Sequence, residues 1–285
     1  MRSIEGVESG VEARRDAPRR AIGGVKLEAL IVSAPFGNYV QPEGATATLG
    51  TFTAERRPGR FWQVLRTVRY YPRIGAWVNK IGLRNPGIEW FVREARAGRI
   101  DASDKIVSIH GFSDDEWWTL LSRVSEVRPL AVELNMSCPN VGHVNWPVGL
   151  FDRALGTGLM VIVKLPPVNF RGMAEQALAA GVRVFHCCNT LPVPSGGLSG
   201  KPLKPVSIQC IGALRELART VGAESGLRII GGGGITVVED IDEYARAGVH
   251  HVAIGTKAMN PVLLWSDRPL RGLVERARTL LDGTD

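Results

Sequence analysis

Short runs of apolar and β-branched residues recur along the chain, spaced widely enough to hold a helix between most of them. They are ALIVSAP (29–35), ATLGTF (47–52), KIVSIHGF (105–112), AVELNMSC (131–138), MVIVKLPP (160–167), RVFHCCNT (183–190), LRIIGGGG (227–234) and HVAIGTK (251–257). Each reads as a strand. Between several of them the pattern shifts toward helical spacing, in DDEWWTLLSRVSEV (114–127), GMAEQALAAG (172–181), SIQCIGALRELARTVG (207–222) and VEDIDEYARAG (238–248). Strand then helix, eight times over, predicts an α/β fold whose parallel sheet closes into a (β/α)8 TIM barrel. An open doubly wound sheet would carry a GxGxxG turn after its first strand, and none is present. The connection FGNYVQPEGAT is too short for an ordinary barrel helix, so the first unit is expected to be irregular.

The 285 residues, 45% of them hydrophobic, are enough for one large core. One barrel domain is expected over residues 25–285, preceded by a mobile polar tail at 1–24. That tail lacks the apolar centre of a signal peptide, and Glu5, Glu8, Glu12 and Asp16 argue against a transit peptide. No apolar run approaches a membrane span in length. The four cysteines form no CxxC pair, which excludes a disulfide framework and a self-contained iron–sulfur site and favours a reducing cytoplasmic setting. No histidine–carboxylate cluster suggests a metal. The net charge of +7 comes largely from arginines of the 56–99 region and the late helices, and is read as a solvated surface rather than a nucleic-acid footprint.

Barrels do their chemistry at the C-terminal ends of strands. Here those ends carry Asn135, Ser137 and Cys138, then Lys164, Asn189, Gly231 to Gly234, and finally Gly255 and Thr256. The strand-end glycines and the GGLSG loop (196–200) offer bare backbone N–H groups suited to phosphate. Lys164 lies inside an apolar run and must pair with Glu133 on the neighbouring strand, reach an anionic ligand, or form a Schiff base. Asn79, Asn135, Asn140 and Asn189 each present a donor and an acceptor, a set able to grip a flat ring of alternating C=O and N–H edges. Cys138 among them is either a small buried hydrophobe or a general base, since a thiol of pKa about 8.5 serves once its surroundings favour the thiolate. Cys187 and Cys188 read as buried hydrophobes, His186, His250 and His251 as structural, and His110 as able to face the pocket. Trp117 and Trp118 read as one buried and one exposed helix residue.

The runs ELNMSCPN, VKLPP, NT leading to GGLSG, IIGGGGI and AIGTK, together with SAPFG, GTFTAERRPG and VNKIGLRNPG, resemble the dihydroorotate dehydrogenases over residues 25–260. The resemblance implies a barrel flavoprotein with FMN at the strand ends. Its phosphate would lie on Gly200, Gly233, Gly234, Gly255 and Thr256, and its ring near Lys164 and Asn135, with Ala34, Pro35, Gly50 and Thr51 in the first two flavin-contacting motifs. A pyrimidine would be held by Asn79, Asn135, Asn140, Asn189 and Thr190, beside the backbone of Gly82 and Leu83. Cys138 matches the base of the soluble, cysteine-using class, taking a proton from C5 of dihydroorotate while C6 gives hydride to the flavin N5.

Two departures accompany this resemblance. Gly50 stands where the soluble class has a lysine, and APFGNY supplies none in exchange, leaving Lys80 as a substitute. The loops VGHVNWPVG and LPVPS are short, implying a more open site and room for another dihydropyrimidine or unsaturated cyclic amide. Rival readings are a non-catalytic flavin- or phosphate-binding barrel and a Schiff-base lyase using Lys164. The resemblance leaves open a homodimer, a fumarate or other acceptor, and an FAD/iron–sulfur partner subunit for an NAD-linked route.

Overall fold

The structure, a computed structural model, describes residues 26–136 and 146–281. The chain opens with β1 (Leu30–Val32), a 3-10 turn (Phe36–Asn38) and β2 (Ala45–Phe52). An excursion of α1 (Arg60–Thr67), β3 (Arg69–Tyr71) and β4 (Ala76–Asn79) precedes α2 (Ile88–Arg96). Regular alternation follows, with β5 (Ile106–Ile109), α3 (Asp114–Val127), β6 (Ala131–Asn135), α4 (Leu150–Leu155), β7 (Met160–Lys164), α5 (Arg171–Ala180) and β8 (Val184–Cys187). A hairpin of β9 (Leu191–Val193) and β10 (Gly196–Gly200) interrupts it before α6 (Leu203–Thr220), β11 (Arg228–Gly232), α7 (Val238–Arg246), β12 (His251–Ile254) and α8 (Arg268–Leu281).

Eight parallel strands close in the order β1-β12-β11-β8-β7-β6-β5-β2, so the predicted TIM barrel and all eight of its strands are present. The first unit is irregular as expected, its connection holding only the 3-10 turn. α6 begins at Leu203 rather than near 207, because Pro205 sits in its first turn, where a missing N–H costs nothing. The GGLSG segment expected as a loop is the strand β10, which pairs antiparallel with β4 and β9 in a second, four-stranded sheet β3-β4-β10-β9. Its Ser199 pairs with Trp77, and the Ser199 hydroxyl donates to the Trp77 carbonyl 122 residues away, beyond the reach of local pattern.

Two layers fill the barrel. Ile31, Ile106, Ala131, Ile162, Ile230 and Ala253 form an apolar cluster separate from the larger one under the helices. Side chains in a strand alternate faces, so the residue two further along each strand points inward one level higher. Those residues are Ser33, Ser108, Glu133, Lys164, Gly232 and Gly255, with His186 two beyond Val184. The interior therefore turns from apolar to polar as the strands run toward their C-terminal ends. Trp117 is wholly buried against His110, while Trp118 is half-buried beneath the Arg153 guanidinium.

The mouth of the barrel is held by close backbone contact. Gly200 sits at φ 91°, and a Cβ there would lie 2.3 Å from the Gly75 carbonyl oxygen. Gly200→Ala should therefore destabilise the protein by roughly 1–3 kcal/mol in urea unfolding; an unchanged midpoint would mean that β10 is free to shift away from β4.

Candidate active site

At the C-terminal ends of the barrel strands lies a cavity of about 380 Å3. It gathers most of the residues singled out from the sequence. Ala34, Pro35 and Thr51 come from the first two strands, Asn135, Lys164, Asn189 and Thr190 from the middle of the barrel, and Gly233, Gly234, Gly255 and Thr256 from the last two. The second sheet closes the other side with Asn79 and Gly200, joined by Gly82 and Leu83 of the following loop. Asn79 thus arrives on an antiparallel strand of that sheet rather than on a barrel strand. Cys138 and Asn140 lie outside the described residues. Gly50 does not line the cavity; its backbone N–H donates to Asn38 Oδ1 and its carbonyl accepts from Asn38 Nδ2.

Beneath the cavity a chain of hydrogen bonds runs in one direction. Asn189 Nδ2 donates to Asn135 Oδ1 at 3.2 Å, and Asn135 Nδ2 donates to Thr51 Oγ1 at 3.0 Å. Ser108 Oγ donates to Glu133 Oε1 at 2.8 Å, so in the 2.9 Å contact between Ser108 and Thr51 the threonine is the donor. Every amide and hydroxyl is therefore oriented by the carboxylate at the end, because Glu133 accepts only. His110, buried rather than facing the cavity, donates from Nδ1 to the Asn135 carbonyl at 2.7 Å and fixes that strand end from behind.

Glu133 is 1% exposed, and burial would raise its pKa; the charge of Lys164 and hydrogen bonds from His186 and Ser108 outweigh this and hold it at about 2. Lys164 Nζ stands 3.9 Å from Glu133 Oε1, close enough to neutralise it but beyond a hydrogen bond. Of the three sequence readings of Lys164, the pairing with Glu133 is present, and the side chain also lines the cavity. His186 donates from Nδ1 to Glu133 Oε2 at 2.7 Å. Burial, then the Lys164 charge, lowers its pKa and keeps the ring neutral. It also lines the cavity, a position its sequence context did not suggest.

Other wall residues carried no sequence signal. Trp77 and Ser199 enter from the second sheet, and Arg60 and Arg84 bring guanidinium groups to the mouth. Arg60 Nε donates to the Arg84 carbonyl at 2.8 Å and its Nη1 to Tyr39 Oη at 2.9 Å. Lys80, the substitute considered for the missing lysine, is exposed and absent from the lining. Among the described residues the lining holds Arg60, Arg84 and Lys164 and no carboxylate, an environment for an anion. Cys188 reaches the wall, but burial pushes its thiol up to about 12, so it remains protonated. No cluster of described residues could hold a metal ion.

A (β/α)8 barrel with a charged cavity at its strand ends is the arrangement in which barrel enzymes place their active sites. The dihydroorotate dehydrogenase family profile matches residues 159–273. The chain is 33% identical over 208 residues to the catalytic subunit of dihydroorotate dehydrogenase B (NAD(+)) of Latilactobacillus sakei subsp. sakei, covering 63% of this chain and 66% of that protein. It is 30% identical over 241 residues to dihydroorotate dehydrogenase A (fumarate) of Limosilactobacillus reuteri, covering 70% of this chain and 76% of that one. The DHODH of Eimeria tenella solved with ferulenol superposes with a TM-score of 0.63 at 16% identity, over 90% of this chain and 86% of its own. The chain belongs to the dihydroorotate dehydrogenase family and is an oxidoreductase of that type.

The buried carboxylate makes stability depend on acid. Because the folded pKa of Glu133 is depressed, its ionisation contributes full stability above its ordinary value of 4.5, and that contribution is lost as pH falls toward about 2. Glu133→Gln leaves Lys164 without its partner and should cost about 3–5 kcal/mol near neutral pH. Its melting temperature should also fall less steeply than that of the wild type between pH 5 and 3, a range set by that shift; parallel melting curves would remove Glu133 from the acid response.

Proposed function

We propose that the chain is an FMN-dependent dehydrogenase that oxidises dihydroorotate to orotate in pyrimidine biosynthesis. The observation that carries this reading is the one-way hydrogen-bond chain from Asn189 to Glu133, lying under a cavity whose charged lining residues, among the described residues, are all cationic. It holds two amide side chains in fixed orientation beside Lys164, as recognition of a planar imide ring requires.

The residues present fit a phosphate-bearing planar cofactor. The cavity falls within the roughly 300–1,000 Å3 usual for such sites. Gly255 faces open space, its nearest neighbour for an added Cβ being the Phe36 ring at 4.0 Å, so its backbone is free to approach a ligand. Gly200, Gly233, Gly234, Gly255 and Thr256 would hold the phosphate, and Lys164 would hold the ring, with Ala34, Pro35, Thr51 and Asn135 around it. When bound, FMN supplies the hydride acceptor at its N5. Asn79, Asn135, Asn140 and Asn189 bind and orient the pyrimidine with Thr190 and the backbone of Gly82 and Leu83, and Arg60 or Arg84 offers a cation to its carboxylate. Cys138 removes the proton from C5. The named relatives use NAD(+) or fumarate, and the catalytic-subunit relative supports an electron-transfer partner subunit as one route of reoxidation.

The purified protein should be yellow, and anaerobic dihydroorotate should bleach it, with fumarate or NAD+ plus partner then restoring the colour. A yellow protein that stays yellow would redirect the search to other dihydropyrimidines, and a colourless one would overturn the flavin reading. Cys138→Ser should keep the colour and lose about 10²–10⁴-fold in the rate of bleaching near neutral pH; an unaltered rate would place the base elsewhere.

A further inference from the structure

Helix α1 lies at the mouth of the cavity and buries none of its residues. Two sides of it do different things. Arg60 and Val64 line the cavity, whereas Phe61, Trp62 and Leu65 project outward at 67, 66 and 57% exposure. Positions 61, 62 and 65 fall within one arc of about 100° on a helix of 3.6 residues per turn. The strand that follows and the turn after it continue the apolar surface with Tyr70, Tyr71 and Ile74, all exposed. Tyr39 carries it across the mouth, lining both the main cavity and a shallow depression edged by Trp265, which is 83% exposed.

The charge of the same segment is equally one-sided. Residues 56–88 hold Arg56, Arg57, Arg60, Arg66, Arg69, Arg73, Lys80 and Arg84 and no acidic residue, so the rest of the chain has 27 basic and 28 acidic side chains. The whole positive excess thus belongs to this one stretch, of which Arg60 and Arg84 line the mouth, and not to the late helices and the segments joining them, whose basic residues are balanced by acidic ones. None of these eight cations is in an ion pair among the described residues, although most arginines on α2, α3 and α8 are.

We propose that α1 and β3 form an interfacial docking element for an anionic phospholipid surface, with Phe61, Trp62 and Leu65 entering the headgroup boundary and Arg66, Arg69 and Arg73 meeting lipid phosphates. Exposed aromatics beside leucine and isoleucine, ringed by arginine, are the composition of a helix lying in the plane of a bilayer surface. Charge complementarity selects the occupant. A second copy would oppose like charges, and a nucleic acid would stack on the aromatics but gain nothing from Leu65 and Ile74. No helix of the described residues is long and apolar enough to cross a membrane, so the element would lie on the surface. The cavity mouth would then open beside the bilayer. This inference does not rest on the flavin reading, because binding is measured without turnover.

Full-length protein is sedimented with vesicles of phosphatidylcholine alone and of phosphatidylcholine mixed with phosphatidylglycerol. It should bind the anionic vesicles selectively, and more weakly as salt rises. The triple variant R66Q/R69Q/R73Q should bind roughly a hundredfold more weakly, at about fivefold per charge. F61S/W62S/L65S should also lose binding while its far-ultraviolet circular dichroism stays unchanged. Equal binding to both vesicle types, binding unaffected by either variant, capture by transfer RNA without vesicle binding, or a dimer that hides α1 would each overturn the proposal.

Discussion

A single buried carboxylate organises the upper half of the barrel. Glu133 cannot stay ionised inside a protein unless something neutralises it, and Lys164 does so from 3.9 Å while His186 and Ser108 hydrogen-bond its two oxygens. The consequences spread outward. Ser108 is committed as a donor, so Thr51 must donate to it, so Asn135 must turn its NH2 toward Thr51 and present its oxygen to Asn189. Side chains that could each adopt two orientations are left with one, and the cavity floor is preorganised before any ligand arrives.

That floor rests on an apolar layer one step lower in the same strands. The step from Ile106 to Ser108, Ala131 to Glu133 and Ile162 to Lys164 is two residues each time, which is the pleat of the strand expressed as chemistry. Below, the barrel is a packed core; above, it is a site. The second sheet supplies the opposite wall, because β4 and β10 bring Asn79, Trp77 and Ser199 over the strand ends. A barrel alone would present a shallow dish.

The floor of the cavity comes from the barrel strands, and the rim from α1, the second sheet and the loops beside them. Around the mouth lie Gly50 held against Asn38, Arg60 and Arg84 as cations, and α1 with its apolar side turned to solvent. Interior chemistry and the shape of the mouth can thus be set separately, since the two are built from different elements.

Eight β-rich runs separated by helix-length stretches were sufficient to predict the barrel, because parallel strands buried on both faces must be apolar and must be joined by crossovers. Strand ends likewise revealed Asn135, Lys164, Asn189 and the glycines, since a barrel admits ligands only there. Sequence reading passed over α1, because the helix is only eight residues long and its apolar arc faces solvent, not the core that helical periodicity is ordinarily read to cover. It also misrepresented β10, whose glycines resemble a loop until β4 lies alongside. Only the tertiary structure joined Asn189 to Glu133 through residues spread between positions 51 and 189, and set Arg60 and Trp77 on the cavity wall. Local sequence determines which face a residue occupies through backbone periodicity, but which partner it meets depends on chain closure over a hundred residues, and hydrogen-bond direction is decided only when all partners are present at once.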